Sequence, residues 1–176
     1  MSEWEEVDKR LLRKRATELA RPVEESDEDE IITALLEFSM LGARYSVYLD
    51  RVEAVTRIAD IVSIPLTPRH FAGVIRRRGK SIALVNLRQF FHSDARGVAD
   101  ADFAVIVSAK GKQFALQVDE IQGVFSIVGD SLLPAPDNFD AAQVPYIAGI
   151  TQDGLAVIDL ESLVKADGFS TENPKA

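Results

Sequence analysis

The sequence predicts a mainly β fold of two similar small barrels joined by short helical connectors, because one strand pattern occurs twice. Residues 114–127 align without gaps on residues 45–58, at an offset of 69 residues. Apolar and polar residues alternate in both copies, which is typical of half-buried strands. The Asp153-Gly154 turn near the end of the chain repeats a reversal at Gly79. Two copies of one strand order favour two packed barrels over a single sheet.

The first copy is predicted to open with a hairpin. Apolar residues alternate with polar ones over 36–40 and over 45–49, and Gly42 marks the turn between them. A brief helical turn is predicted over 87–91. The polar segment 92–102 then separates the two copies, and exchange of strands between them is left open.

Residues 73–88 are the most informative stretch, and they predict two strands joined at a Gly79-Lys80 turn. Gly79 is the natural position for a positive φ in such a reversal. Because adjacent strand residues face opposite sides, Arg76 and Arg78 are predicted to share one face and Arg77 to take the other. Charge alone favours a solvated hairpin, with partner binding as the alternative.

The chain begins with a predicted helix over residues 2–21, where Ser2 and Glu5 form a capping box and Pro22 ends the pattern. Its apolar stripe requires a surface, which the parent domain, a sibling chain or another partner would supply. Residues 24–30 carry six acids in seven positions and are typical of a solvated linker.

These patterns predict three regions. The helix and the acidic linker occupy residues 1–33, the β-rich body 34–166 and a C-terminal tail 167–176. Within the body, the first barrel is placed at about residues 34–95 and the second at about 100–166.

Composition narrows the classes of function. The longest apolar run, residues 103–107, has five residues and cannot span a membrane, and the acidic start lacks an apolar signal core. We therefore expect a cytoplasmic protein. A formal net charge of −8 disfavours nucleic-acid binding, and the absence of cysteine excludes thiolate metal sites and cysteine nucleophiles.

The residues also favour a binding module over an enzyme. His70 and His92 lack metal-ligand spacing and are predicted to lie in surface loops. The neighbouring carboxylates Asp119 and Glu120 are expected to be structural residues at a strand end rather than a catalytic pair. We therefore predict no catalytic residues, no metal and no cofactor.

The stretch 73–88 resembles the signature "G-V-x-N-L-R-G-x-I-x-P-V-x-D-L-R" of the CheW family, the scaffold proteins of bacterial chemotaxis arrays. Arginines replace the family's Asn-Leu pair at Arg76 and Arg77, Ala83 replaces its proline, and Asn86 replaces its aspartate. The resemblance covers about residues 34–165. The matching positions are Gly73, Val74, Arg78, Gly79, Leu87 and Arg88.

This resemblance implies two five-stranded Src-homology-3-like barrels that share a hydrophobic core. Family members bridge the regulatory domain of a CheA-type histidine kinase to the helical hairpin tip of chemoreceptors, without chemistry of their own. The resemblance thus implies a cytoplasmic protein recruited to membrane-associated receptor arrays, where self-association is a further option. Neither nucleic acid nor direct membrane insertion is expected.

The resemblance also implies a partner-binding site. Arg78 matches the signature arginine of the receptor-facing groove, Gly73 and Gly79 match its framing glycines, and Val52 and Val55 match apolar positions beside it. The family's glutamate in "V-x-E-V" falls at Ala54 here, whereas Glu53 lies one place earlier and therefore on the opposite strand face. Together with Arg76 and Arg77, this departure suggests a specialised partner.

We therefore expect an adaptor that couples chemoreceptors to a CheA-type kinase. Two alternatives remain at this stage. One is a CheW-like adaptor of a non-flagellar chemosensory pathway, such as pilus motility, for which the arginines would set specificity. The other is a small enzyme or ligand sensor that uses the groove between the barrels.

Overall fold

Ten β-strands and four short helical segments form the folded body in a computed structural model of the protein. The structure describes residues 31–40, 42–92, 101–129, 131–166 and 169. In chain order the strands are β1 (Ile32–Met40), β2 (Ala43–Tyr48), β3 (Val52–Arg57), β4 (Phe71–Arg77), β5 (Lys80–Val85), β6 (Phe103–Ala109), β7 (Lys112–Val118), β8 (Glu120–Val128), β9 (Ile147–Ile150) and β10 (Ala156–Ile158).

The helical segments are short connectors. Two are α-helices, α1 (Leu87–Phe91) and α2 (Leu160–Lys165), and two are 3₁₀ helices, Leu49–Arg51 and Val144–Tyr146. The predicted helical turn over 87–91 is therefore confirmed. Within the described ranges, no helix combines the length and the apolar character needed to cross a bilayer.

The strands form two five-stranded sheets, which confirms the predicted mainly β fold with two five-stranded units. The first sheet has the order β8-β1-β2-β10-β9, and the second has the order β3-β6-β7-β5-β4. Each sheet contains one parallel pair, β10 with β2 in the first and β5 with β7 in the second, and its other pairs are antiparallel.

The two copies of the repeat exchange strands. Strands β1 to β5 belong to the first copy and β6 to β10 to the second, yet each sheet combines the opening hairpin of one copy with the last three strands of the other. The predicted ranges 34–95 and 100–166 therefore do not correspond to the two sheets. The reason is that β3 and β8 each leave their own hairpin and pair with the first strand of the other copy.

The main hydrophobic core lies where side chains of the two sheets meet. Phe38 and Val47 from the first sheet, and Val107 and Leu116 from the second, are fully buried in one cluster, together with Leu163 of α2. A second cluster belongs to the second sheet alone and is formed by Ile75, Ile82, Leu84, Ala104, Ile106 and Ala115. The shared cluster ties both copies into one folding unit.

The folded body extends beyond its predicted C-terminal limit of residue 166. Phe169, which the sequence assigned to a tail, is only 4% exposed and packs against Phe114 with ring centroids 5.4 Å apart. At the other end a compact unit begins at Ile31. The predicted helix over 2–21 and the acidic linker over 24–30 lie outside the described residues.

Candidate functional site

The three arginines lie on a hairpin formed by β4 and β5, which we call the arginine hairpin. Its strands pair from Gly73 with Leu84 to Arg77 with Lys80, so the connecting residues are Arg78 and Gly79. Both have positive φ, 49° and 77°, as a two-residue type I′ turn requires. The turn therefore lies one residue earlier than the predicted Gly79-Lys80 turn.

This position changes the geometry predicted for Arg78. Because Arg78 is a turn residue, it does not share a strand face with Arg76, contrary to the prediction. Its side chain is exposed and has no ion pair or hydrogen bond with the described residues. A left-handed conformation costs a non-glycine residue about 1 to 2 kcal/mol, and no ion pair or hydrogen bond of the Arg78 side chain with the described residues offsets that cost.

A second basic turn lies at the same end of the second sheet, and the sequence analysis missed it. Lys110 and Gly111 connect β6 to β7 with φ values of 53° and 74°, which repeats the Arg78-Gly79 conformation. The turns share one end of the sheet because each leads into one strand of the parallel pair β5 and β7. Both hairpins have a basic residue followed by glycine, and this shared pair in the sequence would have predicted the second turn.

Unlike Arg78, Lys110 is tied to a neighbouring element. Its Nζ lies 3.5 Å from Oε2 of Glu161 in α2, and Arg51 Nη2 lies 3.5 Å from the other oxygen of that carboxylate. The two turns therefore share their backbone conformation but differ in how far their cationic side chains are engaged.

Arg76 and Arg77 line a groove that the sequence did not predict, and we call it the edge groove. Arg76 is exposed and Arg77 is half-buried. On one side the edge groove is formed by residues 74–77 of β4, and on the other by residues 56–60 at and beyond the end of β3. Its volume is about 310 Å³.

Strand β3 places the remaining predicted site residues on different faces. Val52 is half-buried against the shared core, whereas Val55 is 40% exposed. The two valines therefore do not form one apolar surface. Glu53 is exposed on the same side as Val55, and its carboxylate accepts a hydrogen bond from the side-chain amide of Gln113.

Comparison with known proteins decides the family. The family model described as "CheW-like domain" matches residues 34–168, more than half of the chain. The chain belongs to the CheW-like family.

Curated relatives and a solved structure agree with this assignment. The chemotaxis protein CheW of Treponema pallidum is 22% identical over 136 residues, covering 73% of this chain and 80% of that protein. The chemotaxis protein CheW of Klebsiella aerogenes is 21% identical over 133 residues, covering 74% and 80%. The crystal structure of the scaffolding protein TtCheW from Thermoanaerobacter tengcongensis matches with a TM-score of 0.67 and 25% identity, covering 83% of this chain and 96% of that chain.

Within this CheW-like body, several signature residues have structural roles. Asn86 caps α1, since its side-chain oxygen accepts a hydrogen bond from the backbone of Gln89 at 3.3 Å. Asp159 caps α2 in the equivalent place. Asparagine and aspartate are comparable N-caps, which explains why Asn86 can replace the signature aspartate.

Gly73 is also a structural residue, because the chain crosses directly over it. It is buried, its φ is 141°, and a Cβ atom there would lie 2.5 Å from the carbonyl oxygen of Val62. The backbones of Val62 and Val74 exchange two hydrogen bonds of 2.8 and 2.9 Å beside it. Gly73 therefore lets residues 61–62 cross β4, and it offers no surface of its own.

The titratable residues considered in the sequence analysis are engaged in local contacts. Asp119 lies 3.9 Å from the Arg88 guanidinium, and Glu120 accepts a hydrogen bond from Gln122 at 3.3 Å. His92 pairs with Asp140 at 2.8 Å. His70 lies in a turn just before β4, which fits the predicted loop, but it is half-buried and contacts the rings of Phe71, Phe90 and Phe169.

Proposed function

We propose that this protein is a non-catalytic adaptor of a bacterial chemotaxis pathway that couples chemoreceptors to a CheA-type histidine kinase. Membership of the CheW-like family supports a scaffolding role. Two relatives bear the name chemotaxis protein CheW, and the matching crystal structure is that of a scaffolding protein. In this proposal the protein works in the cytoplasm and is recruited to receptor arrays at the membrane.

The proposed receptor contact is supported mainly by the exposure and the backbone conformation of Arg78. This signature arginine occupies an exposed turn tip at φ 49°, a conformation that asparagine or glycine adopts with less strain. The turn requires a positive φ at this position but does not require an arginine there, and strained residues often occur at binding sites. An exposed guanidinium can bind a carboxylate or the terminal carbonyl groups of a receptor helix through two parallel hydrogen bonds.

Arg76 and Arg77 support the proposal of a specialised receptor, as in a non-flagellar pathway. They replace an uncharged pair of the family signature, and both line the edge groove beside the turn. Two added positive charges favour an acidic receptor tip and disfavour a basic one. In this proposal Arg78 provides the receptor contact, and its two neighbours select among receptors.

The proposal is tested with Arg78→Asn in the full-length protein, because asparagine tolerates the left-handed turn and removes only the guanidinium. A charge-assisted hydrogen bond is worth about 1.5 to 3 kcal/mol, so affinity for a chemoreceptor cytoplasmic fragment should fall about tenfold or more. Lys110→Asn is the matched control, since it removes one positive charge from the equivalent turn. Calorimetry should show unchanged receptor affinity for Lys110→Asn and unchanged kinase-domain affinity for both variants.

The same titrations separate the two roles of the arginines. Arg76→Asn combined with Arg77→Leu should preserve the fold and broaden binding across a panel of receptor fragments. Receptor affinity that is equal in Arg78→Asn and the unaltered protein would overturn the receptor contact. Failure of the unaltered protein to bind any kinase regulatory domain would overturn the adaptor role itself.

A further inference from the structure

The edge groove lies between the two free edges of the second sheet. In the order β3-β6-β7-β5-β4, the outermost strands are β3 and β4. Among the described residues neither pairs with a further strand on its outer side, and on the outer side of β4 Val62 bridges to Val74. The groove is lined on one side by residues 74–77 of β4. On the other side it is lined by Thr56 and Arg57 of β3 and by residues 58–60 and Val62 of the segment that follows β3. Two strand edges therefore border one cleft.

On the β4 side, the backbone of Arg76 points into this groove. Val74 uses its N–H and its C=O for hydrogen bonds to Val62, away from β5. Backbone groups alternate in direction along an antiparallel strand, so those of Arg76, two residues on, point the same way. No described residue bonds to them, because the strand-like contact of the crossing segment ends at Val62 and Val74.

On the β3 side, the backbone of Arg57 also points outward. The N–H of Ile58 donates to the carbonyl of Asp102 at 2.8 Å, towards the β6 side of the strand. By the same alternation, the N–H of Arg57 points to the outer edge. Its carbonyl oxygen accepts a hydrogen bond from the Thr56 hydroxyl at 3.2 Å.

The charge of the groove is predominantly positive. Three arginines line it, Arg57, Arg76 and Arg77, against one aspartate, Asp60. None of the three arginines has an ion-pair partner among the residues that the structure describes, and the Arg57 guanidinium lies 5.3 Å from the centre of the Phe103 ring. An acidic ligand would therefore find unneutralised cations beside free backbone groups.

We infer that the edge groove binds a short acidic segment of another protein in extended conformation, which adds to the free edge of β4 at Arg76. Backbone hydrogen bonds with Arg76 supply the strand addition. Arg57 and Arg76 lie on the same face of the sheet, so acidic side chains on that face of the added strand lie beside both guanidinium groups. This inference goes beyond the proposed receptor contact at Arg78 and does not depend on it, because it concerns an extended peptide and a backbone edge.

The test uses the full-length protein and a capped heptapeptide of alternating valine and glutamate as the probe. Hydrogen exchange followed by NMR should show the Arg76 amide exchanging about tenfold or more slowly at saturating peptide. A peptide with alternating valine and lysine tests the charge requirement. The valine–glutamate peptide N-methylated at its central residue tests the backbone requirement, and both controls should bind about tenfold more weakly.

Two substitutions at one position separate backbone from side chain. Arg76→Pro removes the outward N–H, which an edge strand tolerates, whereas Arg76→Thr keeps the N–H and removes the guanidinium. Peptide affinity should fall about tenfold or more for Arg76→Pro relative to Arg76→Thr. If Arg76→Pro fails to fold, the exchange rates and the N-methylated peptide still decide the question on the unaltered protein.

Three results would overturn the inference. They are equal binding of the glutamate and lysine peptides, peptide binding that leaves exchange of the Arg76 amide unchanged, and no binding of the glutamate peptide at about 1 mM. Protection of Arg76 with receptor binding unaffected by Arg78→Asn would support the groove while overturning the proposed receptor contact, so the two proposals fail separately.

Discussion

Substitution of Gly73 by alanine should strongly destabilise the folded body, for two reasons that the structure separates. The residue has φ 141°, a conformation essentially restricted to glycine, and such strain costs about 1 to 3 kcal/mol. The added methyl group would also lie 2.5 Å from the Val62 carbonyl oxygen and 2.6 Å from Cγ2 of Ile61. Overpacking of this kind costs about 1 to 3 kcal/mol.

Two other glycines allow the cost of backbone strain and the cost of overpacking to be measured separately. Gly149 has a close approach of 2.6 Å to Leu132 Cβ without a left-handed φ, so alanine there should cost only the packing term. Gly79 has φ 77° with no atom within 4 Å of a Cβ, so alanine there should cost only about 1 to 2 kcal/mol of backbone strain. Alanine also lowers the conformational entropy of the unfolded chain, which offsets about 0.4 to 1 kcal/mol of the lost stability at each site.

The expected loss in the free energy of unfolding for Gly73→Ala is therefore about 1 to 5 kcal/mol, larger than for either control. Urea unfolding followed by circular dichroism measures all three variants, and an unchanged m-value would show that each loses stability without a change in the surface exposed on unfolding. A loss for Gly73→Ala no larger than that for Gly79→Ala would refute the crossing of residues 61–62 over Gly73 as the reason for a glycine there.

Two further predictions concern single side chains. Leu66 is fully exposed at φ 64°, so Leu66→Asn should raise the free energy of unfolding by about 0.5 to 1 kcal/mol relative to Leu66→Ala, and equal urea midpoints for the two variants would contradict this. Burial raises the pKa of Tyr45 above its ordinary value of 10.0, although its hydrogen bond to Gln143 acts in the opposite direction. The folded state therefore holds the phenolic proton more tightly than the unfolded state, and stability present below pH 10 is lost as the pH rises further. Tyr45→Phe should show a smaller loss of stability above pH 10 than the unaltered protein. Parallel profiles of stability against pH would show that the ionisation of Tyr45 does not cause the loss.

The sequence predicted the elements of this fold better than their assembly. Alternating apolar residues identify the β1–β2 hairpin and the repeat because both signals are local. The exchange of β3 and β8 between copies is not encoded locally, since the same alternation would suit a strand in either sheet. The ring of His70 stacks on that of Phe169, which lies about a hundred residues away, and no short pattern predicts such a contact.

The candidate site shows the same division. The reversal near Gly79 was predicted, but the turn was placed one residue late, because the type I′ conformation requires a positive φ at Arg78 as well and arginine gives no signal of this. The edge groove was not predicted, because it forms where the segment after β3 approaches β4, and the bridge between Val62 and Val74 that brings them together leaves no local sequence pattern. Matching residues one by one to a family signature does not show where a turn is shifted by one residue or where a new groove forms.

The structure divides the signature stretch into residues that hold the fold and residues that face solvent, and this division changes how variants are interpreted. Gly73 is buried under a crossing segment and Arg88 is ion-paired with Asp119, so a binding defect at either position is expected together with reduced stability. Arg78 is exposed and has no partner among the described residues, so its variants should lose binding at unchanged stability. Measured stability therefore has to accompany every binding measurement on this stretch, because only a variant that binds less while unfolding at the same urea concentration identifies a residue of the interface.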